Sequence, residues 1–133
     1  MTGIVLCRGT FDLLHVGHLH HLRQASTMGT FLVVSVTPDI QAEKEKRRPI
    51  VSEDERMEML LALPFVGVVE CCDYLVSLKR WQPAVYCKGD DHQSKLLPEE
   101  LEYCKAHNIE IRFTDPHPRT TSSLLERIEC TSS

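Results

Sequence analysis

Short apolar runs alternate with helix-like segments along the 133 residues of this chain. Residues 4–8 form the first apolar run, and the helix-like residues 17–28 follow it. Further predicted strands cover residues 31–36, 66–71, 84–88 and 109–113. Strands and helices that alternate at this spacing are typical of a parallel sheet with right-handed crossovers and helices on both faces. The sequence therefore predicts one α/β domain over residues 1–133, built on a parallel five-stranded sheet.

The segments between the strands divide into helices and one long loop. Ser52 and Glu55 have the spacing of a capping box, so a helix is expected to start there and to end near Pro64. Residues 37–51 are polar and basic, and we expect them to form a loop. The remaining predicted helices cover residues 73–80, 98–107 and 121–128.

Composition argues against several classes of protein. No apolar run approaches the roughly 18 residues that cross a bilayer, and the N-terminus lacks the pattern of a secretory signal. A net charge of −4 argues against a general nucleic-acid-binding protein. We therefore expect a cytoplasmic protein with no membrane or nucleic-acid partner. Because no two cysteines have C-x-x-C spacing, a reduced structural role is expected for Cys7, Cys71, Cys72, Cys87, Cys104 and Cys130.

Residues 9–18 form the most informative motif, because two histidines three residues apart stand where the first strand turns into the first helix. At this position of an α/β protein, backbone N–H groups and the positive end of the helix dipole favour a bound phosphate. The imidazoles of His15 and His18 would add side-chain donors that can also carry charge. The motif therefore indicates phosphoryl or nucleotidyl transfer.

Polar residues also follow the other strands, and ligands of parallel α/β sheets bind beyond the carboxyl ends of the strands. Lys44 lies in the basic loop after the second strand, residues 88–91 follow the fourth, and residues 119–123 follow the fifth. All three sets are therefore expected to meet the histidine motif at one edge of the sheet. The chain contains no P-loop motif, no G-x-G-x-x-G after the first strand and no G-x-S-x-G.

Four segments carry a resemblance to a known family. Gly9–Asp12 together with His15–His18 resembles the signature of the cytidylyltransferase-like nucleotidyltransferases. Arg48–Arg56 is similar to a segment of the heptose-phosphate adenylyltransferases. Lys88–His92 lies between that branch and the glycerol-3-phosphate cytidylyltransferases, and Arg119–Ser122 resembles the closing Arg-Ser-Thr-Thr of the family.

The resemblance implies a fold and a reaction. The fold would be a single Rossmann-like domain. An acceptor phosphate would attack the α-phosphorus of a nucleoside triphosphate, with Mg²⁺ on the phosphates and pyrophosphate as the leaving group. ATP with a heptose-like sugar 1-phosphate is the first expectation, and CTP with glycerol 3-phosphate is the alternative. A non-catalytic nucleotide-binding regulator is an alternative of another class. Members of the family commonly form homodimers, so a homodimer is also expected.

The resemblance also implies roles for individual residues. His15, His18 and Lys44 would be catalytic, and Asp12 would orient the metal through its water shell. The implied nucleotide- and phosphate-binding residues are Gly9, Thr10, Phe11, Gly17, Lys88, Gly89, Asp91, Arg119, Thr120, Thr121 and Ser122.

Several of these residues have plainer alternatives. The basic loop could simply be solvated, Asp90 and Asp91 could be turn residues, and residues 120–123 could be helix caps. His20 and His21 lie further along the predicted helix and are expected to be solvated or to face a partner. A zinc site built on His15, His18, His20 and His21 is another possibility. Departures from the family pattern at Gly67, His92 and Pro118 leave the acceptor open.

Overall fold

The computed structural model describes residues 3–45, 47–88 and 97–115, and these contain five parallel strands in one sheet. The strands are β1 (Ile4–Gly9), β2 (Phe31–Val36), β3 (Val68–Cys71), β4 (Val85–Lys88) and β5 (Glu110–Phe113). The helices are α1 (Val16–Ser26), α2 (Asp39–Glu45), α3 (Glu53–Leu61), α4 (Tyr74–Trp81) and α5 (Pro98–Ala106). The predicted Rossmann-like α/β fold is confirmed. Within the described ranges no helix has both the length and the apolar character needed to cross a membrane.

The strand order β3-β2-β1-β4-β5 positions the site. The chain winds outward from β1 through β2 to β3, and then returns to the other side of β1 to add β4 and β5. The winding direction therefore reverses between β1 and β4. In open parallel sheets, ligands bind in the crevice beyond the strand ends at such a reversal. The turn after β1 lies at this crevice.

Alternate residues of β1 face two separate core layers, as the period of a strand requires. Val5 and Cys7 pack in a layer with Leu22 of α1 and Leu60 of α3. Leu6 packs on the opposite face in a layer built with α4 and α5, whose buried members include Tyr74, Leu78 and Cys104. Helices thus cover both faces of the sheet, as predicted.

The segment expected to be a basic loop contains helix α2, so that prediction is wrong. Residues 39–45 are mostly good helix formers, with Asp39 in the first turn and Lys44 in the last, which complements the helix dipole. Ala42 is buried, so the helix is anchored on the protein. The many charges of the segment concealed this short helix. The predicted helix over residues 121–128 lies outside the described residues.

Gly67 marks a close approach of the chain just before β3. Its amide donates to the carbonyl of Leu32 at 2.8 Å. A Cβ at this position would stand 2.6 Å from the ring of Phe31. The departure from the family pattern at Gly67 therefore has a local packing cause.

Candidate functional site

The turn between β1 and α1 has an unusual backbone. Phe11 and Leu13 have φ values of 55° and 51°, in the left-handed region that non-glycine residues rarely adopt. The Phe11 ring is buried and lies over Gly9, where a Cβ would stand 3.0 Å from the ring atoms. Such strained conformations persist where the surrounding structure enforces them, and they cluster at functional sites. Of the predicted phosphate-binding residues, Gly9 ends β1, Thr10 and Phe11 lie in this turn, and Gly17 lies in the first turn of α1.

His15 and His18 cap helix α1 reciprocally. His15 is the N-cap residue, and its Nδ1 accepts a hydrogen bond from the Gly17 amide at 3.0 Å. The Nδ1 atom of His18 accepts from the His15 amide at 3.3 Å. This is the geometry of a capping box, made here by two imidazoles instead of a hydroxyl and a carboxylate. A ring whose Nδ1 accepts a hydrogen bond carries its proton on Nε2, so each imidazole keeps an Nε2–H donor.

The two imidazoles are stacked, with ring centroids 3.9 Å apart and planes at 24°. The edge of the Phe11 ring supports His18 at a centroid distance of 5.4 Å. Burial, followed by the neighbouring His15 and His21, lowers the pKa of His18 to about 3. His18 is therefore a neutral donor at physiological pH.

Asp12 is buried and joins the turn to the segment before α3. Its carboxylate accepts hydrogen bonds from Arg47 Nη1 and from the amides of Ile50 and Val51, each at 2.9 Å. Burial alone would raise the pKa of Asp12, but the two amides and the Arg47 guanidinium together lower it below its ordinary value. The structure thus gives Asp12 a positioning role, and its contact with a metal through water stays a prediction.

Arg56 joins three segments around the same turn, and the sequence analysis did not identify it as a site residue. It is 1% exposed. Its guanidinium donates to the carbonyl oxygens of Val51 and Thr10 at 3.0 and 2.6 Å, and to the Asp39 carboxylate at 2.6 Å. The available signal was an arginine in the first turn of a helix that follows a basic segment, which is weak without knowledge of its buried partners.

Lys44 lies in the last turn of α2 and is exposed. The first turn of α2 is attached to α3, because the Asp39 amide donates to Glu53 Oε1 at 2.8 Å and the Glu53 amide donates back to Asp39 Oδ2 at 3.2 Å. Each carboxylate thus caps the other helix. Lys44 therefore projects from an anchored helix, whereas the sequence suggested a loop.

Lys88 has a different environment from the one expected of a phosphate-binding residue. It is buried, and its Nζ lies 3.3 Å from Glu100 Oε2 of α5, a residue that is itself 1% exposed. This contact gives Lys88 a buried ion pair in the described structure, and its predicted contact with phosphate stays a prediction. The partner Glu100 follows Lys88 by twelve residues and lies on another element, so no sequence pattern indicates the pairing.

His21 also departs from expectation. It is partly buried, with Nε2 at 3.3 Å from Cys7 Sγ and Nδ1 at 2.6 Å from Thr114 Oγ1. The expectation of a solvated His21 is therefore wrong, whereas His20 is exposed as expected. In the part of the chain that the structure describes, His15, His18, His20 and His21 do not form a group able to share one ion. The alternative of a four-histidine zinc site is therefore wrong.

Six predicted binding residues lie outside the described residues, so their roles stay predictions. They are Gly89, Asp91, Arg119, Thr120, Thr121 and Ser122.

Comparison with known proteins finds one matching family model and several similar proteins. A family model described as cytidylyltransferase-like matches residues 6–128. The bifunctional protein HldE of Helicobacter hepaticus is 36% identical over 137 residues, which is 95% of this chain and 26% of the relative. This chain therefore spans about a quarter of such bifunctional relatives. The FAD synthase of Methanohalophilus mahii is 37% identical over 126 residues, which is 90% of this chain and 87% of the relative.

Two solved structures resemble the described fold. A lipopolysaccharide core biosynthesis protein from Thermoplasma volcanium matches with a TM-score of 0.75 and 25% identity, covering 86% of this chain and 97% of that one. A bifunctional NMN adenylyltransferase/ADP ribose pyrophosphatase from Francisella tularensis, solved with AMP and a manganese ion, matches with a TM-score of 0.58. The second covers 100% of this chain and 43% of that one at 14% identity, which bears on the fold alone.

Proposed function

Because this chain belongs to the cytidylyltransferase-like family of nucleotidyltransferases, we propose that it transfers AMP from ATP to a phosphorylated small molecule and releases pyrophosphate. The observation that carries the proposal is the stacked pair of imidazoles at the start of α1, directly after the strained turn that follows β1. Neutral Nε2–H donors suit phosphate oxygens whose charge changes during the reaction.

The turn would bind the triphosphate through several kinds of donor. The amides of Thr10 and Phe11 would donate hydrogen bonds to phosphate oxygens, and the positive end of the α1 dipole would attract their negative charge. The first turn of α1 contains no acidic residue that would oppose an anion. His15 and His18 would donate from Nε2 to the α-phosphate and to the departing pyrophosphate, stabilising charge that builds up in the transition state. The acceptor phosphate attacks in line, so no covalent intermediate with the protein is needed.

Lys44 would supply the mobile positive charge of this mechanism. Its ammonium is a compact charge on a flexible stem, which can follow the α-phosphate or the acceptor phosphate as the reaction proceeds. Asp12 and Arg56 would act through position, because they hold the turn and the residue 47–51 segment together. The relative placement of the two substrates depends on that framework.

A divalent cation, proposed as Mg²⁺, would accompany the triphosphate. The Asp12 carboxylate already accepts three hydrogen bonds from protein donors, so the described residues do not suit it as a direct ligand. Mg²⁺ commonly keeps several waters and binds through substrate phosphates. The nucleotide would therefore hold the ion, which neutralises phosphate charge.

Two acceptors have specific support. A heptose-like sugar 1-phosphate is the first candidate, from the similarity to HldE proteins across 95% of this chain. Flavin mononucleotide is the second, because similarity to an FAD synthase covers 87% of that relative, and joining AMP to flavin mononucleotide yields FAD. CTP with glycerol 3-phosphate, suggested by the sequence, stays a further alternative.

A pyrophosphate-release assay tests the proposal. The protein is incubated with ATP or CTP and, separately, a heptose 1-phosphate, flavin mononucleotide or glycerol 3-phosphate. We expect pyrophosphate with ATP and one of the first two acceptors, and at least about 100-fold less with His18→Asn. ATP binding without turnover for every acceptor would instead indicate a nucleotide-binding regulator. Light scattering after size exclusion tests the proposed homodimer in the same preparation.

A further inference from the structure

Three potential metal ligands converge behind the turn, on the side of the sheet that packs against α1. Cys7 of β1 and Cys87 of β4 are directly opposite each other in the parallel register, and both are 0% exposed. His21 of α1 completes the group, because the two sulfurs and a ring nitrogen all lie within 4.8 Å of one another. The three residues come from three elements, so no sequence spacing reveals them.

The separation of one sulfur from the ring nitrogen matches that of a thiolate–imidazole metal site. Zinc binds cysteine sulfur at about 2.3 Å and histidine nitrogen at about 2.0–2.1 Å, and tetrahedral angles then separate sulfur from nitrogen by about 3.5 Å. The separation of Cys7 Sγ from His21 Nε2 is 3.3 Å. An ion could therefore enter with little rearrangement of these two side chains.

A second contact orients the imidazole as metal sites require. Histidine ligands usually engage their other ring nitrogen with a neighbouring acceptor, which fixes the ring. In this protein the Nδ1 atom of His21 lies 2.6 Å from Thr114 Oγ1, and Thr114 is itself 3% exposed. If Nδ1 donates to that hydroxyl, the Nε2 lone pair faces the thiols.

From this geometry we propose that Cys7, His21 and Cys87 bind one zinc ion, independently of the nucleotide site. Two thiolates and a neutral imidazole around Zn²⁺ form a group with no net charge, which a buried position tolerates far better than a charged group. Soft thiolate ligands also favour zinc over Mg²⁺. The described residues supply three of the four ligands of a tetrahedral zinc ion.

The ion would stiffen the support of the nucleotide site. The His21 ring stacks on Phe11 with centroids 6.4 Å apart, and Phe11 packs against His18. By holding His21 in place, zinc would also hold the Phe11 ring that packs against His18. It would do so without contacting a substrate.

Cobalt titration of the chelator-treated full chain tests the site. We expect one equivalent of Co²⁺ to produce a thiolate-to-cobalt charge-transfer band that one equivalent of Zn²⁺ removes. Cys7→Ala and Cys87→Ala should each weaken the band and lower metal affinity at least about tenfold, as should His21→Gln. Cys104→Ala is the matched control, because Cys104 is equally buried but lies in the opposite core layer. Circular dichroism establishes that each variant is folded.

The proposal fails if the wild-type protein gives no band at one equivalent. It also fails if the Cys7 and Cys87 variants bind Co²⁺ as tightly as the wild type, or if Cys104→Ala loses binding. Should a strand variant not fold, His21→Gln decides, because a retained wild-type affinity in that variant excludes the site. Zinc should also raise the Tm of the wild type and not that of His21→Gln. Since the readouts are metal binding and stability, failure leaves the proposed nucleotidyl transfer untouched.

Discussion

At the scale of single residues, His15 and His18 have two tasks each. Their Nδ1 atoms cap helix α1, and their Nε2–H groups are proposed as donors to phosphate. The sequence located this pair correctly, because a histidine pair at a strand-to-helix turn is a local pattern. The low pKa of His18 was not predictable, because it depends on how deeply the folded protein buries the ring. The ion pair of Lys88 was not predictable either, since its partner Glu100 belongs to another element.

The two tasks of His18 can be separated by substitution. Asn at this position can still accept from the His15 amide but has no group where Nε2 lies, whereas Gln can place an amide N–H near Nε2. We expect His18→Asn to lower kcat on the order of 100-fold while the free energy of unfolding changes by less than about 1 kcal/mol. His18→Gln should retain more activity than His18→Asn.

Steady-state kinetics and denaturant unfolding measure these effects, with His20→Asn as the exposed control. A large loss of stability in His18→Asn, with activity falling only in proportion to the folded fraction, would make His18 a structural residue. Equal activity of the Asn and Gln variants at the wild-type level would remove the Nε2 donor from the mechanism.

At the scale of elements, one arginine holds helices α2 and α3 and the turn in a fixed arrangement. Arg56 contacts the turn through Thr10, the preceding segment through Val51, and α2 through Asp39. The sequence predicted the start of α3, since Ser52 accepts from the Glu55 amide as its N-cap. It missed α2, because a helix of seven residues gains its stability from anchoring at Ala42 and Asp39 and shows little periodicity of its own.

Replacing Arg56 by Lys tests this arrangement. A lysine keeps the charge but cannot donate in three fixed directions, so buried acceptors would lose their partners. We expect the free energy of unfolding to fall by about 3–5 kcal/mol. Arg48→Lys, at an exposed arginine that pairs with Glu43, should change it by less than about 0.5 kcal/mol. Urea denaturation of the two variants measures both values. Similar losses of unfolding free energy in both would show that the buried hydrogen bonds of Arg56 do not hold the elements together.

At the scale of the whole molecule, the fold followed from the alternation of strands and helices, which is a property of the entire sequence. Strand boundaries were less predictable. Residues 66–67 were expected in the third strand, but β3 begins at Val68, because the chain before it closes on Phe31 at Gly67. The burial of individual side chains depends on the packing of the whole fold. It governs how the free energy of unfolding responds to acid.

The low pKa of His18 predicts a dependence of global stability on pH. The folded protein keeps His18 neutral down to about pH 3, whereas the unfolded chain protonates it near its ordinary pKa of 6.5. The unfolded state therefore binds more protons across this window, and stability falls as the pH falls from about 6.5 toward 3. The lowered pKa of Asp12 acts in the same direction at the acid end of the window.

Denaturant unfolding at pH 7.5, 6.5, 5.5 and 4.5 measures this dependence. The wild type should lose more stability than His18→Asn between pH 6.5 and 4.5, because the variant lacks the titrating ring. Parallel curves for the two proteins would mean that the pKa of His18 is not depressed in the fold.

The left-handed backbone at Phe11 and Leu13 has one more consequence. The buried Phe11 ring holds its residue in this conformation, so the turn has its bent form before any nucleotide arrives. Binding then requires little ordering of the turn. The conformational entropy that a flexible turn would lose when it binds the nucleotide is already lost when the protein folds. Glycine at either position could adopt the same φ without strain, but it would also allow other backbone conformations. The turn would then be more mobile before the nucleotide binds.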